Sequence, residues 1–164
     1  MSENRIDLLQ RMPVFGAASA ETLAFILETT RDFVVPTGGY FFREGDEAGS
    51  MFVLESGRVE VLREYGGQKV RLCELGPGDC FGEMSLIECR NRSAAVKALT
   101  NCTAIELPLD TLHTLYERDL KQFVLIQMNI AREISRRLRT ADKLLFEAKV
   151  AAKDSGGEYW WYLI

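Results

Sequence analysis

Between residues 32 and 107 the chain is cut into short pieces by turn signals. They recur at Pro36-Thr37-Gly38-Gly39, Glu44-Gly45-Asp46, Ser56-Gly57, Gly66-Gly67 and Pro77-Gly78-Asp79. Glycine supplies left-handed backbone and proline presets φ, so each cluster can reverse the chain. The intervening segments hold β-branched and aromatic residues and predict strands at 33–35, 40–43, 51–55, 58–65, 69–75, 93–98 and 102–107. In the fourth, Val59, Val61 and Arg63 alternate with Arg58, Glu60 and Leu62, which reads as half-buried. A helix-rich domain cannot absorb so many reversals. The pattern predicts a mainly β chain with flanking helices: a jelly-roll-like β-roll, or double-stranded β-helix, followed by a long C-terminal dimerisation helix.

The flanks carry the other period. Residues 6–12 read as a short helix ended by Pro13, and Ser19 is positioned to cap a second at 20–29. Asp110 is positioned to cap a helix over 111–116. From about 120 to 153 runs one long helix whose apolar seam is Ala131, Ile134, Leu138, Ala141, Leu145, Ala148 and Ala152. The steps of three and four are those of a coiled coil. Such a helix is ~50 Å long, against a radius of gyration of ~13 Å for a 100-residue roll. The seam therefore calls for a partner, and a symmetric homodimer through residues 131–152 is expected. The organisation expected is N-terminal helices at 1–30, the roll at 31–109, C-terminal helices at 110–153, and a break with an aromatic tail at 154–164.

The chemistry concentrates in LGPGDCFGEMSLIECRNRSAAVKALT, residues 75–100. After the turn at 77–79, Phe81-Gly82-Glu83 leads into Met84-Ser85-Leu86-Ile87, too short for a free-standing helix. Helix N-termini offer unpaired N–H groups and partial positive charge, which suits a phosphate. Gly82 has no Cβ, so backbone can approach a ligand there. Nine residues after Glu83 stands Arg92, a fork matched to phosphate oxygens. A carboxylate beside a phosphate would repel it, so Glu83 is better explained as an acceptor for a sugar hydroxyl.

These residues resemble the phosphate-binding cassette, here 81–95, of cyclic-nucleotide-binding domains, the sensor domains of catabolite activator proteins and of protein kinase A regulatory subunits. The likeness extends over about residues 12–145. Arg92-Ser93-Ala94 reads like the bacterial activators, and the nine-residue spacing from Glu83 reads like the kinase subunits. The resemblance implies that Glu83 takes the ribose 2′-hydroxyl and that Arg92 pairs the cyclic phosphate, helped by Ser93 and the amides of Met84 and Ala94. It implies that Val61, Leu72 and Leu75 lie on strands walling the pocket; the sequence alone makes them core residues, and Val61 and Leu75 are taken as both. It also sets Arg137 near the nucleotide and Thr140 and Ala141 near the turn that contacts the base. There are departures. Asn91 stands where proline often precedes the arginine, Ala95 where threonine or serine is common, and Asp142 where the activators have the second of two hydroxyls. Serine after the cassette arginine favours cAMP over cGMP in the bacterial relatives, so cAMP is the expected ligand.

Composition narrows the alternatives. A net charge of −4 argues against non-specific nucleic-acid binding by the whole surface. The basic run Arg132, Arg136, Arg137, Arg139 and Lys143 reads as a solvated face beside the seam rather than a DNA contact. About ten residues follow the helix, too few for a helix-turn-helix, so a stand-alone sensor without direct nucleic-acid binding is expected. A fragment of a catabolite-activator-type transcription regulator, or a protein-interaction module with an empty pocket, is the alternative. Cupin-type enzyme chemistry needs clustered histidines, and His113 is the only one; it reads as structural or surface. No metal and no catalytic residue are expected. Cys73, Cys80, Cys89 and Cys102 lack CxxC spacing and read as reduced, mostly buried thiols. No apolar run is long enough to span a bilayer, and the N-terminus lacks a signal-peptide core, which points to the cytoplasm. The tail Glu158-Tyr159-Trp160-Trp161-Tyr162-Leu163-Ile164, after the Gly156-Gly157 break, reads as a lid over the nucleotide or a dock for a downstream protein.

Overall fold

The structure, a computed structural model, describes residues 2–154; the aromatic tail lies outside the described residues. Eight strands alternate with turns: β1 Arg31–Val35, β2 Tyr40–Phe42, β3 Ser50–Ser56, β4 Val59–Tyr65, β5 Gln68–Leu75, β6 Cys80–Phe81, β7 Ala95–Ala98 and β8 Cys102–Pro108. They form two four-stranded sheets, ordered β1-β8-β3-β6 and β2-β7-β4-β5, with every pairing antiparallel. This is the expected β-roll. Five helices flank it: α1 Ser2–Gln10, α2 Ala20–Thr29, α3 Glu83–Glu88, α4 Leu109–Arg118 and α5 Leu120–Asp154.

The two sheets close over Val35, Phe41, Phe52, Leu54, Val59, Leu75, Phe81, Val96 and Ala104, with Phe33, Phe42 and Val61 packed against them. The phenylalanines form one connected cluster. Phe41 meets Phe81 edge-on at 4.9 Å, and Phe52 stacks on Phe81 at 5.4 Å. Each such pair adds ~0.5–1.5 kcal/mol beyond its buried area. Gly57, at φ +91, turns β3 into β4 where a Cβ would lie 2.5 Å from the Asn101 carbonyl oxygen. No other residue fits that turn without moving β8.

Several expectations are corrected. Leu72 is not a core or pocket-wall residue; it is 55 % exposed. The reason is a bulge: Val61 pairs with Cys73 and Leu62 with Arg71, so Leu72 is the extra residue of β5 and falls out of the ladder. The alternation expected in β4 fails too, since Val59 and Leu62 are buried and Arg63 is exposed. Strand β7 starts at Ala95 rather than residue 93, and β6 was not foreseen. Helix α1 spans Ser2–Gln10 rather than 6–12, with a 3-10 turn at Pro13–Phe15 behind it. Helix α4 starts at Leu109 with Pro108 as its N-cap, and Asp110 lies in the first turn instead of capping. An acidic residue in that first turn still suits the positive end of the helix dipole. Ser19 does cap α2, accepting from the Thr22 amide at 3.1 Å. Of the cysteines, Cys80 and Cys102 are buried, whereas Cys73 and Cys89 are exposed.

The chain divides into two compact units after Ile130. In the first, α1 is tied to the roll by Arg5, whose Nε and Nη2 donate to Glu55 at 2.9 and 2.7 Å. These bonds, with Asp32 beside them, hold the Arg5 pKa above its ordinary value. The start of α5 is tied down as well. Asn129 Nδ2 donates to the carbonyls of Val14 and Gly16 at 3.1 and 2.9 Å, and Gln122 Oε1 accepts from the Ser19 amide at 2.9 Å. The second unit is the remainder of α5. There the seam residues Leu138 and Leu145 are exposed while Ile134 is half-buried.

Candidate anion-binding site

The cassette is built from the end of β6, the short α3 and the loop into β7. Phe81 ends β6 inside the aromatic cluster, and Gly82 then reverses the chain at φ +81 as the N-cap of α3. Glu83, the first residue of that helix, is 5 % exposed. The helix stops at Cys89, a left-handed residue at φ 52, and the Arg90 amide donates back to the Ser85 carbonyl at 3.1 Å.

Arg92 then returns to the start of the helix. Its side chain is buried, 4 % exposed, and Nη1 donates to the Gly82 carbonyl at 3.0 Å. The backbone is pinned on both sides: the Arg92 amide donates to the Asp46 carbonyl at 2.9 Å, and the Gly45 amide donates to the Arg92 carbonyl at 2.8 Å. Asn91 reinforces this, because Nδ2 donates to the Gly45 carbonyl at 3.0 Å. An asparagine in place of proline thus fixes the loop by a side-chain bond rather than a ring. A Cβ on Gly82 would stand 2.6 Å from Arg92 Nη1. The glycine is therefore needed twice, for its φ and for the approach of the guanidinium.

The electrostatics follow from burial. Desolvation pushes the Arg92 pKa below the ordinary guanidinium value, and through-space attraction from Glu106, Asp46 and Glu83 opposes it. Arg92 Nε is buried without a hydrogen-bond partner. A buried, positively charged donor of this kind costs free energy unless an acceptor meets it. An anion with in-plane oxygens is the natural acceptor.

Of the residues picked from the sequence, Gly82, Glu83 and Arg92 converge. Ala94 is half-buried and Ser93 exposed beside them, and Met84 sends an exposed side chain away from the roll while its amide stays in the first turn of α3. Leu75 is in the core at the end of β5, and Val61 packs against that core. Arg137 and Thr140 belong to the second unit. There Arg137 Nε lies 3.6 Å from Glu133, and the Thr140 hydroxyl donates to the Arg136 carbonyl at 3.2 Å. His113 is exposed, 3.5 Å from Glu117. Among the described residues no cluster of His, Cys, Asp or Glu could hold a metal ion, and no helix is long and apolar enough to cross a membrane.

Sequence reasoning missed Phe42. The Arg92 guanidinium carbon lies 4.1 Å above its ring centroid. It also missed a groove of about 260 Å³ beside α3, bounded by Met51, Leu86, Leu112, Tyr116, Phe123 and Ile130, which Glu83 borders. Arg92 does not line that groove, and Glu83 is shared between the groove and the anion site.

Two antiparallel sheets thus enclose an aromatic core, and a buried arginine folds back onto the glycine that starts a short helix. The model of the cyclic nucleotide-binding domain matches residues 33–119, and the chain belongs to that family. The Cyclic AMP receptor protein of Thermus thermophilus is 32 % identical over 131 residues, 79 % of this chain and 59 % of that protein. The crystal structure of the Thermus thermophilus catabolite activator protein superposes with a TM-score of 0.71 at 32 % identity, covering 84 % of this chain and 63 % of that one. Glutaminase 2 of Bradyrhizobium diazoefficiens is 40 % identical over 116 residues, which is 71 % of this chain but 18 % of that protein. The chain thus spans about three fifths of the first relative and under a fifth of the last.

Proposed function

We propose that the chain is a cyclic-nucleotide sensor that takes cAMP in preference to cGMP, works as a stand-alone regulatory module rather than an enzyme, and passes the binding signal on through its long C-terminal helix. The buried Arg92, with Nη1 on the Gly82 carbonyl and Nε unpaired, carries this reading. It supplies one desolvated positive charge, which matches the single negative charge of a cyclic phosphodiester. Glu83 would accept from the ribose 2′-hydroxyl, with Ser93 and the amides of Met84 and Ala94 completing the phosphate cradle and Val61 and Leu75 walling the base. Preference for cAMP is supported by Ser93 after the arginine and by the name of the Thermus relative.

A route to α5 is supported by the groove beside α3. Leu86 and Phe123 share it, so a ligand that shifts α3 presses on the first turns of α5. The exposed seam of the second unit supports a homodimer through residues 131–152, a helical surface on which Leu138 and Leu145 are exposed. A second reading, part of a catabolite-activator-type transcription regulator, is favoured by the 59 % coverage of the Thermus relative.

Titration calorimetry with cAMP, cGMP and a cyclic dinucleotide tests the assignment. The expected order is cAMP tighter than cGMP, with no heat from the dinucleotide. Absence of binding to both mononucleotides overturns the reading.

A further inference from the structure

We propose that Phe42 is a positioning residue of the anion site: its ring is the shelf on which the Arg92 guanidinium lies, and it holds the cation without using its Nε–H donor. The inference rests on the reading of the cassette as a phosphate site and adds a residue on another strand to it.

The geometry is specific. Arg92 Cζ stands 4.1 Å from the Phe42 centroid and 5.9 Å from that of Phe52. A built Cβ on Gly82 would meet Phe42 Cε1 at 3.3 Å and Arg92 Nη1 at 2.6 Å, so ring, guanidinium and glycine are packed against one another. Phe42 is fixed in turn. It ends β2 opposite Val96 of β7, and its ring leans on Phe52 and Phe81 at 5.9 and 6.1 Å. The turn after β2 is the one that pins the Arg92 backbone through Gly45 and Asp46. Shelf and cation are thus held by one piece of chain.

A buried arginine can be kept charged in two ways. A carboxylate in a bidentate pair spends two of the five N–H donors and fills the plane where a phosphate would sit. An aromatic face stabilises the cation from below and spends none. Here the carboxylates that favour the charge, Glu106, Asp46 and Glu83, act through space rather than through a hydrogen bond to Arg92. The ring supplies the contact, and Nε stays unpaired. An aliphatic side chain at position 42 would fill similar volume without holding the charge.

Two variants and two readouts test this on the full chain. Phe42→Leu is expected to weaken cAMP binding by about threefold to thirtyfold, the span of a cation–π contact. Phe42→Tyr, which keeps the ring, is expected to bind as wild type does. Independently of any nucleotide, the Arg92 Nε–H proton resonance, assigned by its loss in Arg92→Lys, is expected upfield in wild type and Phe42→Tyr through the ring current. In Phe42→Leu it should move to the ordinary arginine position. Equal cAMP affinity for Phe42→Leu and wild type overturns the inference, as does an Nε–H resonance that does not move. A wild type that binds no cyclic nucleotide sinks the function proposed above, while the resonance still decides the shelf.

Discussion

Replacing Arg92 with leucine should separate what the residue does for the ligand from what it does for the fold. Toward a bound phosphate the substitution removes one side of a desolvated charge pair, a loss of ~2–5 kcal/mol. That is about thirty- to several-thousand-fold in affinity. Toward the fold the terms nearly cancel. One hydrogen bond to the Gly82 carbonyl goes, ~1 kcal/mol, and one contact on Phe42 goes, ~0.5–2 kcal/mol. Against these stands relief from holding a 4 % exposed cation without an ion-pair bond. Exchanging a whole buried ion pair for hydrophobes is often neutral or stabilising by ~1–4 kcal/mol, but here the buried Glu83 carboxylate also loses the favourable charge of Arg92. The ligand-free variant should therefore melt within a few degrees of wild type, at ~2–4 °C per kcal/mol, while its cAMP isotherm collapses. Calorimetry and a thermal melt on the same sample decide. Wild-type affinity in Arg92→Leu refutes the phosphate assignment. A fall in the ligand-free melting temperature beyond ~8 °C refutes the argument that this cation is held at a cost to the fold.

Three further outcomes follow from the cassette and the helix. Glu83→Gln should weaken cAMP more than 2′-deoxy-cAMP, because only the former has the hydroxyl that the carboxylate would accept from; equal losses in competition binding would exclude that contact. Gly82→Ala puts a Cβ 2.6 Å from Arg92 Nη1 at φ +81, so it should cost ~1–3 kcal/mol of stability in a melt and also displace the guanidinium, seen as lost affinity. Leu138→Glu or Leu145→Glu places a charge in a paired seam and should yield monomers whose roll still folds; light scattering that finds wild type monomeric at tens of micromolar, where ordinary dimers with Kd near ~1 μM are formed, would rule out the helical dimer.

The roll was legible in the sequence because its turns are written in glycine and proline, whose effects are local. Gly57 and Gly82 occupy positive φ whatever surrounds them. Ser19 was legible as a cap for the same reason. What was not legible depends on partners distant in the chain. Leu72 looks like a core residue on its strand, and only the register of β5 against β4 expels it. β6 is just Cys80–Phe81, too short to show a period. Glu83 and Arg92 were found as a chemical pair, yet the shelf under Arg92 comes from β2, fifty residues upstream. A phenylalanine in a strand carries no mark that distinguishes a shelf from ordinary packing.

The bulge at Leu72 has a consequence beyond the pocket. β5 is the last strand of its sheet, and every residue before Leu75 is exposed. Such a rim invites another copy to add a strand and stack without limit. The extra residue breaks the regular spacing of N–H and C=O groups along that rim, and Lys69 and Arg71 put positive charge on either side of Val70. Shortening β5 by the one residue, deletion of Leu72, would straighten the rim and leave Lys69 and Arg71 to repel a neighbour without the bulge. The roll could still close around its phenylalanines, yet it would do so as a template for fibre growth.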